Sequence, residues 1–308
     1  MVIVVAGLTP AWQQIMRFAR FQPGAVNRAL DVAWCASGKV INVGIALAHL
    51  GAAAETMALV GGPAGAAIRA EFAAAGLAGH WIESRQPTRV CTTILDLQTE
   101  CTTELVENAH PASPAELEAF RQAYAERAAR ASCAVLTGSL PAGAPATFYR
   151  DLLACTPCPA IVDIRGPELL LALEQRVWLA KPNRDELAAT LGRDLHADEP
   201  LRAAMAELHE RGANWVVVTQ GADALWASTA GHCYRAVPPR VKAVNPIGAG
   251  DCLAAGLAWA QQLGLPPREM LRHAVAAAVE NVLQLLPARL SRAAVQDRAA
   301  AIVVEEMP

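Results

Sequence analysis

The 308-residue chain has no long apolar run, no cluster of basic residues and no paired cysteine motif. Nothing in it approaches the roughly 18 consecutive apolar residues of a membrane-spanning helix, so no membrane partner is expected. The opening MVIVVAGLTP is apolar, yet it has neither the basic flank nor the small-residue cleavage site of a secretory leader, and it reads as a first buried strand. Lys and Arg number 26 against 29 Asp and Glu, a formal net charge of −3, and no helix gathers positive charge on one face. Nucleic acid therefore has no electrostatic footprint and is not an expected partner. The eight cysteines are scattered, and the close pair Cys155 and Cys158 lacks a second pair or a histidine at ligand spacing. No HExxH occurs among the seven histidines. Free thiols in a reducing cytoplasm are expected, with no zinc site. The chain also lacks an internal repeat and any linker long or polar enough to separate two units, so one domain over residues 1–308 is expected.

What is there is alternation. VIVVAG precedes INVGIALAHLG, TMALVGG precedes AIRAEFAAAGL, CAVLTGS precedes ATFYRDLLAC, AIVDI precedes PELLLALEQ, and VWLAKPN with DELAATLG precedes WVVVTQG. Short β-rich runs alternating with helical patterns argue for an α/β fold, a mostly parallel sheet covered by helices on both faces. Ligands of such sheets sit beyond the carboxyl ends of the strands. Ser139, Asp163, Asn183, Thr219 and Gly221 all follow strands. Two segments, about 11–36 and 85–107, break the rhythm, and the second alternates Thr and β-branched residues as a hairpin or meander does. Together they could form a small antiparallel sheet over the ligand end, inserted into the α/β core as a lid. SPAELEAF begins a helix, with Ser113 as cap, Pro114 at the first helical position and Glu116 closing a capping box.

Three polar motifs bear on chemistry. Ser37-Gly38-Lys39 imitates a phosphate-binding P-loop, but Ala33 and Val40 stand where that motif needs Gly and a hydroxyl residue. Lys39 and Asn42 still open a helix and are either ligand-facing or ordinary helix-start residues. Asn183 and Glu186, three apart at a helix entrance, either hold a hydrated Mg²⁺ or form a cap. The third is NPIGAGDCLAAG, residues 245–256, a glycine turn into a helix. It is either an N-cap at Asp251 or an anion hole with an acid–base group beside it.

The VNPIGAGDCLAAG stretch resembles the signature of the ribokinase-like PfkB sugar kinases. FQPGAVNRALDVAWCASGKVINVGIALAHLG, TRVCTTILD with TELVENAHPASPAELEAF, TGSLPAGAPATFY, DIRGPELLLAL and LAKPNRDEL follow in order as in the hexose-phosphate branch. That branch contains 1-phosphofructokinase, tagatose-6-phosphate kinase and the minor 6-phosphofructokinase. The likeness runs from about residue 2 to 285. It implies a three-layer α/β/α fold with a β-sheet lid, ATP and Mg²⁺ as cofactors, a phosphorylated ketohexose as substrate and a homodimer through the lids. Carried over to this chain, Asp251 is the general base, and the amides of Ala249 and Gly250, with Gly248, form the anion hole. Asn183 and Glu186 organise Mg²⁺ through water. Lys181, Thr219, Gly221, Gly248, Gly250 and Asn281 fall on the nucleotide side, and Gln13, Gly38, Lys39, Asn42, Arg89 and Ser139 on the sugar side with Asp251. Lys39 and Arg89 supply charge for the phosphate on the substrate.

The departures concern the substrate. The family's Asn-Pro-Ala-x-Asp becomes Thr9-Pro10-Ala11-Trp12-Gln13, losing a carboxylate that bonds sugar hydroxyls. Gly-Gly-Lys-Gly becomes Ser37-Gly38-Lys39-Val40, bringing methyl groups where the backbone comes close to the ligand. Pro246 replaces Thr, LLPARL replaces a glycine-rich segment on the adenine side, and Arg165 replaces a small Ser, either entering the cleft or capping a strand. Cys252 beside the base reads as packing. Two alternatives to the phosphosugar kinase follow: a slow member that binds sugar phosphate or nucleotide as a regulator, and a kinase of an unphosphorylated sugar or nucleoside.

Overall fold

The computed structural model describes residues 1–307; Pro308, the last residue of the expected single domain, lies outside the described residues. The chain opens with β1 (Val2–Gly7), β2 (Ala11–Phe18), β3 (Asp31–Ser37), α1 (Lys39–His49), β4 (Ala54–Val60), α2 (Gly62–Ala74), β5 (Ala78–Glu83), β6 (Arg89–Asp96) and β7 (Cys101–Val106). It continues through α3 (Pro114–Ala128), β8 (Ala131–Thr137), α4 (Phe148–Leu153), β9 (Ala160–Asp163), α5 (Pro167–Leu173), β10 (Leu179–Ala180), α6 (Arg184–Leu191), α7 (Asp198–Glu210) and β11 (Trp215–Val218). The remaining elements are β12 (Leu225–Ser228), β13 (Cys233–Ala236), α8 (Ala249–Gln262), α9 (Pro267–Val282), α10 (Arg292–Ala301) and β14 (Val304–Met307).

Ten strands form the central sheet in the order β14-β13-β12-β11-β10-β9-β8-β1-β4-β5. From β5 to β11 every pairing is parallel, and β12, β13 and β14 complete one edge antiparallel. Period-2 alternation divides the strand side chains between two cores. Ile3 and Val5 pack with α1, α8 and α9, whereas Val4 and Ala6 pack with α3, α4 and α7. The result is the expected α/β/α sandwich. Ser113 and Glu116 make the expected capping box of α3, and the spare Oε1 of Glu116 accepts the Arg85 amide at 2.8 Å. One cap therefore also ties down the turn that leads into β6.

A second sheet, in the order β3-β2-β6-β7, is built from the two segments that break the alternation. Its outer pairs are antiparallel, but β2 and β6 run parallel, from Ala11 opposite Arg89 to Phe18 opposite Asp96. This corrects the expectation of a wholly antiparallel sheet. The reason is topological: β2 and β6 leave the carboxyl ends of β1 and β5, which already point the same way, so both travel outward together.

The layer over the site depends on close helix contact. A Cβ added to Gly256 in α8 would lie 2.7 Å from the Cα of Ala274 in α9. Gly256→Val should therefore push the two helices apart and destabilise the protein by about 1–3 kcal/mol. Thermal unfolding followed by circular dichroism should show a midpoint lowered by several degrees; an unchanged midpoint would mean that the contact is slack.

Candidate functional site

Strand ends create the site. β9 terminates in Asp163, which is fully buried, and one of its oxygens accepts from two lysines. Lys39 Nζ, from the first residue of α1, and Lys181 Nζ, just after β10, each lie 3.2 Å from Asp163 Oδ1. Thr137 Oγ1, at the end of β8, donates to Oδ2 at 3.4 Å. Burial pushes the Asp163 carboxyl up, but Lys181 and Lys39 outweigh it and hold the group below the ordinary aspartate range. Lys39 also reaches Glu186 Oε1 at 3.4 Å. Burial pushes this lysine down; the combined pull of Asp163, Glu186 and Asp251 is larger and holds it above the usual lysine value.

Asp251 faces this cluster from the first turn of α8. Asn42 Nδ2 donates to its Oδ2 at 2.8 Å, and Ser37 Oγ donates to Asn42 Oδ1 at 3.1 Å, so a relay from the end of β3 orients the carboxylate. Burial first, and the charge of Asp163 second, push Asp251 up to about 6 against the opposing Lys39, Asn42 and Lys181.

The turn before Asp251 needs its glycine. Gly248 has φ 85°, a left-handed conformation, and a Cβ there would lie 2.9 Å from Pro287 Cβ. Ala249 N–H closes on Pro246 O at 3.3 Å, and Cys252 N–H closes on Gly248 O at 2.9 Å. Among the described residues, the amides of Gly250 and Asp251 have no hydrogen-bond partner. The open amides thus lie one residue later than the expected Ala249–Gly250 pair, because the Pro246 carbonyl folds back onto Ala249. They sit at the positive end of the 14-residue helix.

Several expected residues take other places. Asn281 is fully buried and does not line the cleft: its Nδ2 donates to Ile247 O at 2.8 Å, and its Oδ1 accepts from Ala288 N at 2.7 Å and Cys252 Sγ at 3.3 Å. It fastens the glycine turn to LLPARL, with both side-chain polar atoms engaged there. Cys252 is the packing residue expected, its thiol pushed well up by burial. Gly221 occupies an exposed turn with φ 52°, outside the lining, whereas Thr219 lines the cleft beside Asn183. Asn183 and Glu186 form the capping box. Asn183 Oδ1 accepts the Glu186 amide at 2.7 Å, and Glu186 Oε2 accepts the Asn183 amide at 3.0 Å. One oxygen of the pair, Glu186 Oε1, remains directed at the cleft.

On the sugar side Gln13 is buried, with Nε2 donating to Thr93 Oγ1 at 2.8 Å. Gly38 has φ 89° and lies against Pro10 and Ala11, where a Cβ would come within 3.0 Å of the Ala11 nitrogen. Val40 does not crowd the ligand as its position in the loop suggested. Its side chain is core, packed beside Gly7 of β1. Arg89 donates to the carbonyls of Thr9 at 3.1 Å, Pro10 at 3.4 Å and Glu107 at 3.2 Å, so none of these hydrogen bonds goes to a carboxylate. Ser139 is exposed at the rim, 3.4 Å from Thr9 Oγ1.

Two adjoining cavities result. One, about 350 Å³, contains Asp251, the start of α8, Lys181, Thr219, Asn42 and Gln13. The other, about 500 Å³, contains Ser139, Arg165 and Glu168. Lys39, Arg89, Glu104, Asp163 and Glu186 line both. Arg165, an exposed residue, thus lines the cleft. Three lining acids, Asp163, Glu104 and Glu168, were assigned no chemistry in the sequence reading, which named Asp163 only among the polar groups that follow strands. Asp163 carried a signal, a carboxylate ending an apolar strand. Glu104 carried a weaker one: it pairs with Thr93, so it shares a sheet face with the residue that holds Gln13. Burial pushes the Glu104 carboxyl up, and Arg89 pulls the other way.

The model of the pfkB family carbohydrate kinases matches residues 4–291. A 1-phosphofructokinase from Rhodobacter capsulatus is 34% identical over 278 residues, 89% of this chain and 88% of the relative. One from Xanthomonas campestris is 30% identical over 313 residues, 99% of this chain and 98% of the relative. Phosphofructokinase-2 from Escherichia coli, solved in complex with substrates and products, is similar with a TM-score of 0.88 over 98% of each chain at 25% identity.

The position of Asp251 has a stability consequence. Its carboxyl titrates near 6 in the folded protein and near 4 when unfolded, so its contribution is present below the unfolded value and is lost as pH rises through about 6. Asp251→Asn should then be more stable than the parent at pH 8, by on the order of 2–3 kcal/mol, with the gain vanishing towards pH 4. Urea unfolding at both pH values measures it, and a variant that is less stable at pH 8 would contradict the cause assigned.

Proposed function

Because the chain belongs to the pfkB family of carbohydrate kinases, with their ribokinase-like α/β/α fold, we propose that it transfers a phosphoryl group from ATP to a hydroxyl of a phosphorylated ketohexose. Family membership makes the protein a sugar kinase that uses ATP. The observation that carries the finer reading is Asp251, a buried carboxylate held by Asn42 beside two open amides at a helix start. In this reading Asp251 takes the proton from the acceptor hydroxyl, while Asn42 keeps Oδ2 fixed and leaves Oδ1 to react. A carboxyl titrating near 6 is ionised at neutral pH and is a stronger base than an ordinary aspartate. The amides of Gly250 and Asp251 stabilise negative charge next to it, and Lys39 and Lys181 add cationic charge from the Asp163 side. Naming of relatives as 1-phosphofructokinases supports a sugar that already bears phosphate, as do Arg89 and Lys39.

The donor set fits a hydrated magnesium ion. Glu186 presents one oxygen to the cleft while its other is fixed in the α6 cap, and Mg²⁺ takes few protein ligands and keeps its waters. When bound, the ion would neutralise charge on the transferred group. Gln13, Cys91, Glu104 and Val106 of the small sheet line the cleft, which supports its reading as a lid that excludes water. The eight unbridged cysteines support a reducing, cytoplasmic location.

The outer face of the lid supports a homodimer. Val32, Trp34, Val90 and Leu105 are exposed there, Trp34 by 47%, and an apolar sheet face of this kind is stabilised by burial against a second copy. Trp34→Lys should shift sedimentation equilibrium towards monomer; a parent protein that sediments as monomer at every concentration would remove the dimer.

An ADP-release assay over fructose 1-phosphate, fructose 6-phosphate, tagatose 6-phosphate, ribose and nucleosides tests the activity. Turnover of a phosphoketohexose is expected, with kcat/KM rising to a plateau above about pH 6. Asp251→Asn should lower kcat roughly 10²- to 10⁴-fold. Equal turnover by this variant, or no turnover of any substrate by the parent, would overturn the proposal; turnover of ribose or a nucleoside alone would keep the kinase and remove the substrate class.

A further inference from the structure

The larger cavity contains a cation that the phosphoryl transfer above does not use. Arg165 follows β9, two residues beyond Asp163, and lines the space of about 500 Å³ between the main sheet and the small sheet. Its backbone is fixed on both sides. Ile164 is buried, and Gly166 adopts φ 70° with its N–H donating to Thr190 Oγ1 at 2.9 Å.

Four cations line the two cavities, and they fall into two pairs. Lys39 and Lys181 share Asp163, and Lys39 also meets Glu186, so both lysines are ion-paired. Arg89 is held by neutral carbonyls, and Arg165 has no hydrogen-bond or ion-pair partner among the described residues. The two guanidinium groups, neither of them hydrogen-bonded to a carboxylate, share one cavity, Arg89 on the small sheet and Arg165 on the main sheet, with Glu104 and Glu168 also in its wall. That cavity contains neither Asp251 nor the start of α8, which line the other. An anion between the arginines would therefore lie at the far end from the reacting hydroxyl, and away from Lys181 and Thr219 on the expected nucleotide side. A phosphate monoester has three terminal oxygens and close to two negative charges, enough for both guanidinium groups; a singly charged carboxylate would satisfy one.

We propose that Arg165 is a specificity-determining residue which, together with Arg89, grips the phosphate already carried by the sugar. The assignment rests on the reading of the protein as a kinase of a phosphorylated sugar. It also gives the cleft an orientation, with the existing phosphate between the two arginines and the acceptor hydroxyl at Asp251, bridged by Lys39 in both cavities.

The test compares the parent with Arg165→Gln and Arg165→Lys, using whichever phosphoketohexose the parent turns over. Loss of a charged hydrogen bond to phosphate should raise KM for the sugar phosphate about 10- to 100-fold in Arg165→Gln. Arg165→Lys should lie between, and kcat and KM for ATP should stay within about threefold in both. An unchanged sugar-phosphate KM, or a rise confined to ATP, overturns the assignment. Should the parent turn over no phosphorylated sugar, the functional reading fails by itself, and calorimetric titration with fructose 1-phosphate and fructose 6-phosphate decides the arginine. Binding by the parent that is lost in Arg165→Gln supports the clamp; equal affinity, or no binding to either protein, overturns it.

Discussion

A single carboxylate oxygen at the end of β9 holds two ammonium groups, and the rest of the site is arranged around that contact. Lys181 is almost completely buried and Asp163 entirely so. Neither charge would be tolerable alone in such a place, where removing an ion from water costs several kcal/mol. Pairing offsets that cost, and Thr137 completes the environment of the acid. Lys39 adds a second cation to the same oxygen and stretches between Asp163 and Glu186. The negative charge that fixes the lysines also acts on Asp251, where it joins burial in raising the carboxyl to about 6. One group thus holds the cationic wall of the cleft and, after burial, adds to the basicity of the carboxylate opposite.

The second constraint is the rigidity of the glycine turn. Two open amides can stabilise an anion only if the backbone that bears them does not yield, and here it is held from three directions. Asn245 accepts from Ile247 N at 3.1 Å and donates to Leu285 O at 2.8 Å, Asn281 ties Ile247 to Ala288, and Pro287 packs on Gly248. The LLPARL segment is thus the buttress of the turn. Leu285 and Leu286 continue from it into the small core formed by Ile15, Cys35 and Leu95 beneath the second sheet. The glycine turn and the small sheet are thereby parts of one packed body, and movement of one would be felt by the other.

Much of this was legible from residue patterns. The βα alternation, the Ser113 and Asn183 helix entrances, the two segments of the small sheet and the helix start at GAGD all rest on short-range physics: periodicity of apolar residues, cap hydrogen bonds and glycine dihedrals. Conversely, Asn183 and Glu186 illustrate how a local pattern admits two uses at once, since the cap is real and still leaves one Glu186 oxygen facing the cleft. Arg89 was recognisable as a candidate cation of the cleft, but its three carbonyl partners were not, because they lie on segments up to 80 residues away.

The sequence by itself determined which elements form, which faces they bury and which polar residues end the strands, because each of these depends on neighbours within a turn or two of the chain. Tertiary structure alone decided where those residues point. Asp163 became the centre of the site only when β9 was placed between β8 and β10, bringing Lys39 from 124 positions away to its carboxylate. Packing against Gly7 turned Val40 into core, closure of the turn on LLPARL buried Asn281, and the shared direction of β1 and β5 made β2 and β6 parallel. Each outcome is set by contacts between segments remote in sequence, and no local pattern carries the energy of such contacts.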